Sequence, residues 1–257
     1  MHLNPQSVLR PPGPPNRPAD VRLQARIFRG RTGLLLVAPL LLGLSSSPIQ
    51  AQTELDRAMA KMEAAGKTFR SFVAEFTQKK YTEVLREYDT PERGEFYYAR
   101  ARDGSALLRQ EVMKPASRTL TIKGGVATIH QPGVKQAQIV NLGRNKDKAE
   151  YLALGLGQSP ARLRETFSIK YQGTESVEGS PCWVLVLTPK SSAAAAYFSS
   201  ITLWIKKTGG IPVQEKLQEP NGDYLLVTFS GEKLNVSIPA PKFEQKLPPG
   251  TDIQTLR

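Results

Sequence analysis

One helix leading into a large antiparallel sheet, curled into a sandwich or barrel, is the fold class that the sequence predicts. Three observations carry it. The apolar period changes from helical to two-residue spacing near Phe69, and a dozen short alternating runs follow. Their separators hold turn residues, as in Asp103-Gly104, Gly124-Gly125, Pro132-Gly133, Gly209-Gly210 and Asn221-Gly222-Asp223. No helices alternate with the strands, which disfavours a parallel sheet.

Taken in order, Thr53 is placed to cap a helix, Leu55, Met59, Met62 and Ala65 recur at helical spacing, and Gly66 offers a stop. From Phe69, the residues Phe72, Ala74 and Phe76 share one face while Val73, Glu75 and Thr77 share the other. Strands are then expected over 82–88, 94–100, 106–113, 118–123, 126–131 and 136–141. After a break they resume over 167–172, 182–188, 200–206, 211–218, 223–230 and 242–246. The break, 145–165, is rich in helix formers interrupted by Gly155, Gly157 and Pro160. Two short helices there would either cover an open end of a barrel or form an ordinary surface crossover. A single domain, 52–257, is expected.

The first 51 residues read as an address. Six prolines among residues 1–18 preclude packing, and Arg22, Arg26, Arg29 and Arg31 precede an apolar run from Leu34 to Leu42. A small-residue segment ending at Ala51 completes the pattern of a signal peptide, with cleavage expected after Ala51. The run is too short for a spanning helix, which takes about 20 apolar residues. Of the whole chain's net charge of +12, removal of this leader leaves about +7, scattered without a dense basic run. Nucleic-acid binding is therefore not expected.

Catalysis and metal binding have little to work with. The chain has one cysteine and two histidines, His2 and His130, so neither a disulfide framework nor a metal constellation is expected, and no cofactor. Gly157-Gln158-Ser159-Pro160-Ala161 superficially matches a nucleophile elbow, but Pro160 and the absence of an α/β context argue against a hydrolase. Cys182, alternating with Trp183 in a strand, reads as a small buried hydrophobe.

Five motifs occur in a fixed order along the chain. They are Ser71-Phe72-Val73-Ala74-Glu75-Phe76-Thr77-Gln78-Lys79, Gly94-Glu95-Phe96-Tyr97-Tyr98-Ala99-Arg100, and Leu108-Arg109-Gln110-Glu111-Val112 with Pro115. Val186-Leu187-Thr188-Pro189-Lys190 and Phe243 with Leu247-Pro248-Pro249-Gly250-Thr251-Asp252-Ile253 complete the set. Together they resemble the LolA family of periplasmic carriers of outer-membrane lipoproteins, from about Glu54 to Ile253. The resemblance implies a mainly β (α+β) fold: a half-open, incomplete antiparallel β-barrel with an N-terminal helix and a helical lid over an apolar cavity. It implies a soluble, non-enzymatic, monomeric periplasmic carrier whose cavity shelters lipoprotein acyl chains. An inner-membrane extraction complex would load it and an outer-membrane acceptor would unload it.

Carried over residue by residue, Arg100 takes the position of the family's lid latch, its donors holding lid carbonyls in the closed state. The alternative is a surface arginine like its neighbour Arg102. Phe72, Phe76, Phe96, Tyr98, Leu108, Gln110 and Val112 become the acyl-binding wall. Two departures stand out: Gln110 puts an amide where relatives carry an aromatic, and Ala101 replaces the proline that often follows the arginine. A related carrier or sensor of another lipid or glycolipid on the same fold is the alternative function. A membrane-attached acceptor would need a lipidated N-terminal cysteine, and none lies near the cleavage site.

Overall fold

In the computed structural model, residues 48–142 and 153–256 are described, and all lie in one compact unit, Ser45–Arg257. The expected leader, apart from its last four residues, and the first part of the 145–165 break lie outside the described residues.

Helix α1 (Pro48–Thr68) begins earlier and ends later than expected. Thr53 is inside it, its hydroxyl donating to the Ile49 carbonyl at 2.9 Å. Gly66 lies in the last turn rather than after it. Gly157 packs beside it, its carbonyl oxygen 3.4 Å from where a Cβ would stand. The buried stripe Leu55, Ala58, Met59 and Met62 follows the helical period.

The strands are β1 (Ser71–Thr82), β2 (Glu87–Tyr88), β3 (Glu92–Arg100), β4 (Ala106–Lys114), β5 (Arg118–Lys123), β6 (Val126–Gln131) and β7 (Gln136–Asn141). After helix α2 (Pro160–Thr166) come β8 (Phe167–Val177) and β9 (Ser180–Pro189), then helix α3 (Ser192–Ala195). The chain closes with β10 (Ser200–Lys206), β11 (Pro212–Gln218), β12 (Tyr224–Leu234) and β13 (Asp252–Leu256). They form one sheet in the order β13-β7-β6-β5-β4-β3-β1-β12-β11-β10-β9-β8, with β2 paired to β1. The path does not return on itself, so the sheet is an open, incomplete barrel. Register shifts at Val73/Glu75, Arg93/Gly94, Tyr171/Gly173 and Trp204/Ile205 supply local twist. At Gly94 the strands come so close that a Cβ would sit 1.7 Å from the Glu111 carbonyl oxygen.

Three expectations are corrected. The 82–88 strand is a turn over 83–86 followed by the two-residue β2; Val84 and Leu85 mimic a strand pattern but are exposed at its tip. The 242–246 strand is instead a 3-10 turn (Ala240–Phe243), because Pro239 and Pro241 lack the N–H a ladder needs. The sheet is not wholly antiparallel: β13, exposed along its length, pairs parallel to β7.

Two large apolar clusters and a smaller third make up the buried interior. The first gathers Phe72, Phe76, Phe96, Tyr98, Leu108, Val112, Ile122, Val227 and Phe229 from β1, β3, β4, β5 and β12. The second packs α1 on β8, β9 and β10 through Met59, Met62, Phe167, Leu185, Leu187, Ile201 and Leu203. Cys182 lies on the other face of β9, fully buried with Val184, Trp204 and Val213, as a small hydrophobe.

Candidate functional site: an apolar interior closed by its own chain

Six of the seven expected wall residues are buried in the first cluster: Phe72, Phe76, Phe96, Tyr98, Leu108 and Val112. Phe72 meets Phe229 edge-on, with ring centroids 5.4 Å apart, and Phe96 lies 5.2 Å from the same ring. Gln110 is half-buried on the same wall, opposite Phe96 on β3, and donates to Gln78 Oε1 at 3.1 Å.

Between the clusters runs the segment 153–157, Ala-Leu-Gly-Leu-Gly, buried throughout. Leu154 belongs to the second cluster and Leu156, with no exposed surface, to the first. Two glycines make this possible. Gly155 (φ +78) leaves 3.3 Å between a notional Cβ and Leu203, and Gly157 (φ +64) would place one 2.4 Å from the Phe69 ring. The chain thus fills its own interior with two leucines. Neither leucine was singled out from the sequence as a plug. The segment has no amphipathic period, and only its glycines mark it.

Arg100 reaches this plug. Its Nη2 donates to the Gly157 carbonyl, and its guanidinium stands 5.9 Å over the Phe69 ring. The residue as a whole is exposed, not buried as a latch set in the core would be. Beside it lies a cleft of about 860 Å³ bordered by Lys67, Arg100, Asp103, Gly125, Leu142 and Arg162. Ser159, from the elbow-like sequence, caps α2 by accepting the Arg162 N–H at 3.3 Å. His130, on β6, is buried, with its Nδ1 3.5 Å from Gln245 Nε2.

At the far end of the wall sits a polar group the sequence reading missed. Glu215 on β11 pairs with Val227 of β12 and Leu203 of β10, and is 2% exposed. Its Oε1 has no hydrogen-bond partner, and burial pushes its carboxyl well above the usual range, which favours the protonated form. It borders a void of about 30 Å³ shared with Gln78, Phe96, Gln110 and Phe229. Gln78 Nε2 donates to Glu92 Oε2 at 2.8 Å, and Arg118 to the same oxygen at 2.7 Å. The available signal was parity: Glu215 is in phase with the buried Leu217.

Among the described residues no three His, Cys, Asp or Glu could hold a metal ion, and no helix is long and apolar enough to cross a membrane.

A family model described as "-like: Uncharacterized protein" matches residues 158–235. No curated protein matches the chain. Among solved structures, MucB is similar at 16% identity and TM-score 0.47, over 77% of this chain and 63% of MucB. A LolA superfamily protein from Nitrosomonas europaea is similar at 13% identity and TM-score 0.35, over 76% of this chain and 97% of that one. LprF from Mycobacterium bovis is similar at 15% identity and TM-score 0.43, over 74% and 97%. The chain thus spans about three fifths of MucB. The fold itself is a large open β-sheet with few helices.

Proposed function

We propose that the chain is a periplasmic carrier that binds the acyl chains of lipoproteins in its apolar interior and ferries them from the inner to the outer membrane. The observation that carries this reading is the plug, in which Leu154 and Leu156 occupy the space between two apolar clusters. An interior filled by its own chain can exchange that filling for a ligand of the same chemistry.

The energies allow the exchange. Burying two leucines is worth about 3–6 kcal/mol, and the Arg100–Gly157 hydrogen bond adds about 0.5–1.5 kcal/mol net. Ten methylenes of an incoming chain are worth about 8 kcal/mol. Cargo therefore displaces the plug by a modest margin, and an acceptor with a slightly better site can reverse it. In this mechanism Arg100 is the latch, Phe72, Phe76, Phe96, Tyr98, Leu108, Gln110 and Val112 are the wall, and no covalent step is involved. Export through a signal peptide, a loading complex and an acceptor complete the cycle, as the resemblance implies.

Native mass spectrometry of the protein purified from a periplasmic extract, with organic extraction of what it holds, tests the reading. Co-purified triacylated lipoprotein is the expected result. A free lipid or glycolipid moves the function to another lipid-shuttling role. Lipoprotein that cannot be loaded even from detergent removes the carrier reading.

A further inference from the structure

Among the described residues Glu215 is the one carboxylic acid buried in the core. It is out of place in a cavity meant only for hydrocarbon, because a buried carboxyl with an unpartnered oxygen is costly. Its surroundings make the group legible. Strand β1 supplies Gln78, β4 supplies Gln110, and β3, β10 and β12 contribute Phe96, Leu203, Val227 and Phe229. Among the described residues, no charged side chain besides Glu215 lines the void; Glu92 and Arg118 lie beyond Gln78, which donates to the Glu92 oxygen that Arg118 also bonds. An anionic ligand would find no cation here, and a plain hydrocarbon would leave Oε1 unsatisfied.

The protonated carboxyl that burial favours donates one hydrogen bond and accepts others, and a hydroxyl group matches that pattern. The void of about 30 Å³ has room for one such group, since about 10–15 Å³ of such space already holds a water molecule. Phe96, Leu108, Val227 and Phe229 line both the void and the apolar wall, so the two are continuous. Phe96 is four residues along β3 from Arg100, about 13 Å at the usual strand rise.

We propose that Glu215, with Gln78 and Gln110, recognises a hydroxyl group carried on the acyl chain of the cargo, so that the protein selects hydroxylated over plain acyl chains. The inference rests on the carrier reading and names its ligand class.

The test is displacement of a fluorescent fatty acid by palmitic acid and by a positional series of hydroxypalmitic acids. It is run on wild type, Glu215→Gln and Glu215→Leu. One neutral hydrogen bond is worth about threefold to tenfold in affinity. Wild type is expected to prefer one hydroxylated position by that factor. Glu215→Gln, which keeps a donor and an acceptor, retains the preference, and Glu215→Leu loses it while still binding palmitic acid. Should the leucine variant fail to fold, dependence on hydroxyl position in wild type and Glu215→Gln carries the test. Equal affinities for the whole series in wild type overturn the inference and leave the carrier reading intact. A crystal structure of the loaded protein with only a water molecule on Glu215 overturns it equally. If neither palmitic acid nor any hydroxypalmitic acid binds, the carrier reading fails and this inference with it.

Discussion

Truncating Leu156 to alanine separates a plug from an ordinary core residue. Leu156 has no exposed surface, so Leu156→Ala removes buried methyls and leaves a cavity in the closed state, at a cost of about 2–5 kcal/mol. In an open state the same side chain would be in solvent, and its loss would cost little. The closed-to-open ratio should then fall roughly 30- to 5000-fold. Because apparent affinity is reduced by the fraction of molecules competent to bind, acyl-chain affinity should rise, by about 30-fold or more while the closed state still dominates. A fluorescent fatty acid titrated into wild type and variant measures this, alongside urea unfolding. Leu108→Ala is the control, since Leu108 is equally buried but belongs to the wall. It should lower stability and weaken binding. If Leu156→Ala lowers stability yet leaves affinity unchanged or weaker, the segment is core and the plug mechanism is wrong.

Arg100→Leu should loosen the same closure by a smaller step, about 0.5–1.5 kcal/mol, because the arginine is exposed and gives up one bond to Gly157. Hydrogen exchange at the Leu156 and Gly157 amides should quicken and cargo release should slow; loading and release like wild type sink the latch. Glu215→Gln should flatten the pH dependence of stability. Burial raises the folded-state pKa of Glu215, so above the ordinary carboxylate range the unfolded chain has lost a proton that the folded chain keeps. Wild type then loses about 1.4 kcal/mol per pH unit as pH rises through that window, and is unaffected below it. Parallel urea-unfolding profiles for the two proteins between pH 4 and 8 refute the assignment. Lys242→Ala should cost about 1 kcal/mol, since the ammonium bonds both Glu111 oxygens at 3.1 Å and stands 4.1 Å over the Tyr97 ring. Burial raises the Glu111 pKa, but hydrogen bonds from Arg109 and Lys242 outweigh it and hold it low. The stability Glu111 contributes is therefore present at neutral pH and lost as pH falls through its folded value; acid unfolding midpoints should converge in the variant.

Period and parity made much of the wall legible. Phe96, Tyr98 and Arg100 share a face because strand side chains alternate, and β3 is regular after its bulge at Gly94. Met59 and Met62 announced the buried face of α1 in the same way. What failed were segments whose state is set by distant contacts. Val84 and Leu85 look like strand residues, yet both side chains stand exposed at the tip of the turn that carries them. Strand β13 has no buried face to produce alternation, and only its pairing with β7 defines it. Glu215 stood in an apolar phase in plain view, but its unpartnered oxygen depends on β1 and β4, over a hundred residues earlier in the chain.

The plug shows why such contacts escape local patterns while controlling function. Leu154 and Leu156 are two residues apart, which in a regular strand would direct both to one face. Gly155 and Gly157, at positive φ, break that regularity and let the leucines serve different clusters. One short segment therefore joins α1 and β8–β10 to β1, β3 and β4. Withdrawing it separates the two clusters together rather than one at a time. A cargo chain that fills only the first cluster would leave the Leu154 site unsatisfied, so complete opening favours a ligand long enough, or branched enough, to reach both. A carrier of several acyl chains on one headgroup meets that requirement where a single short chain does not.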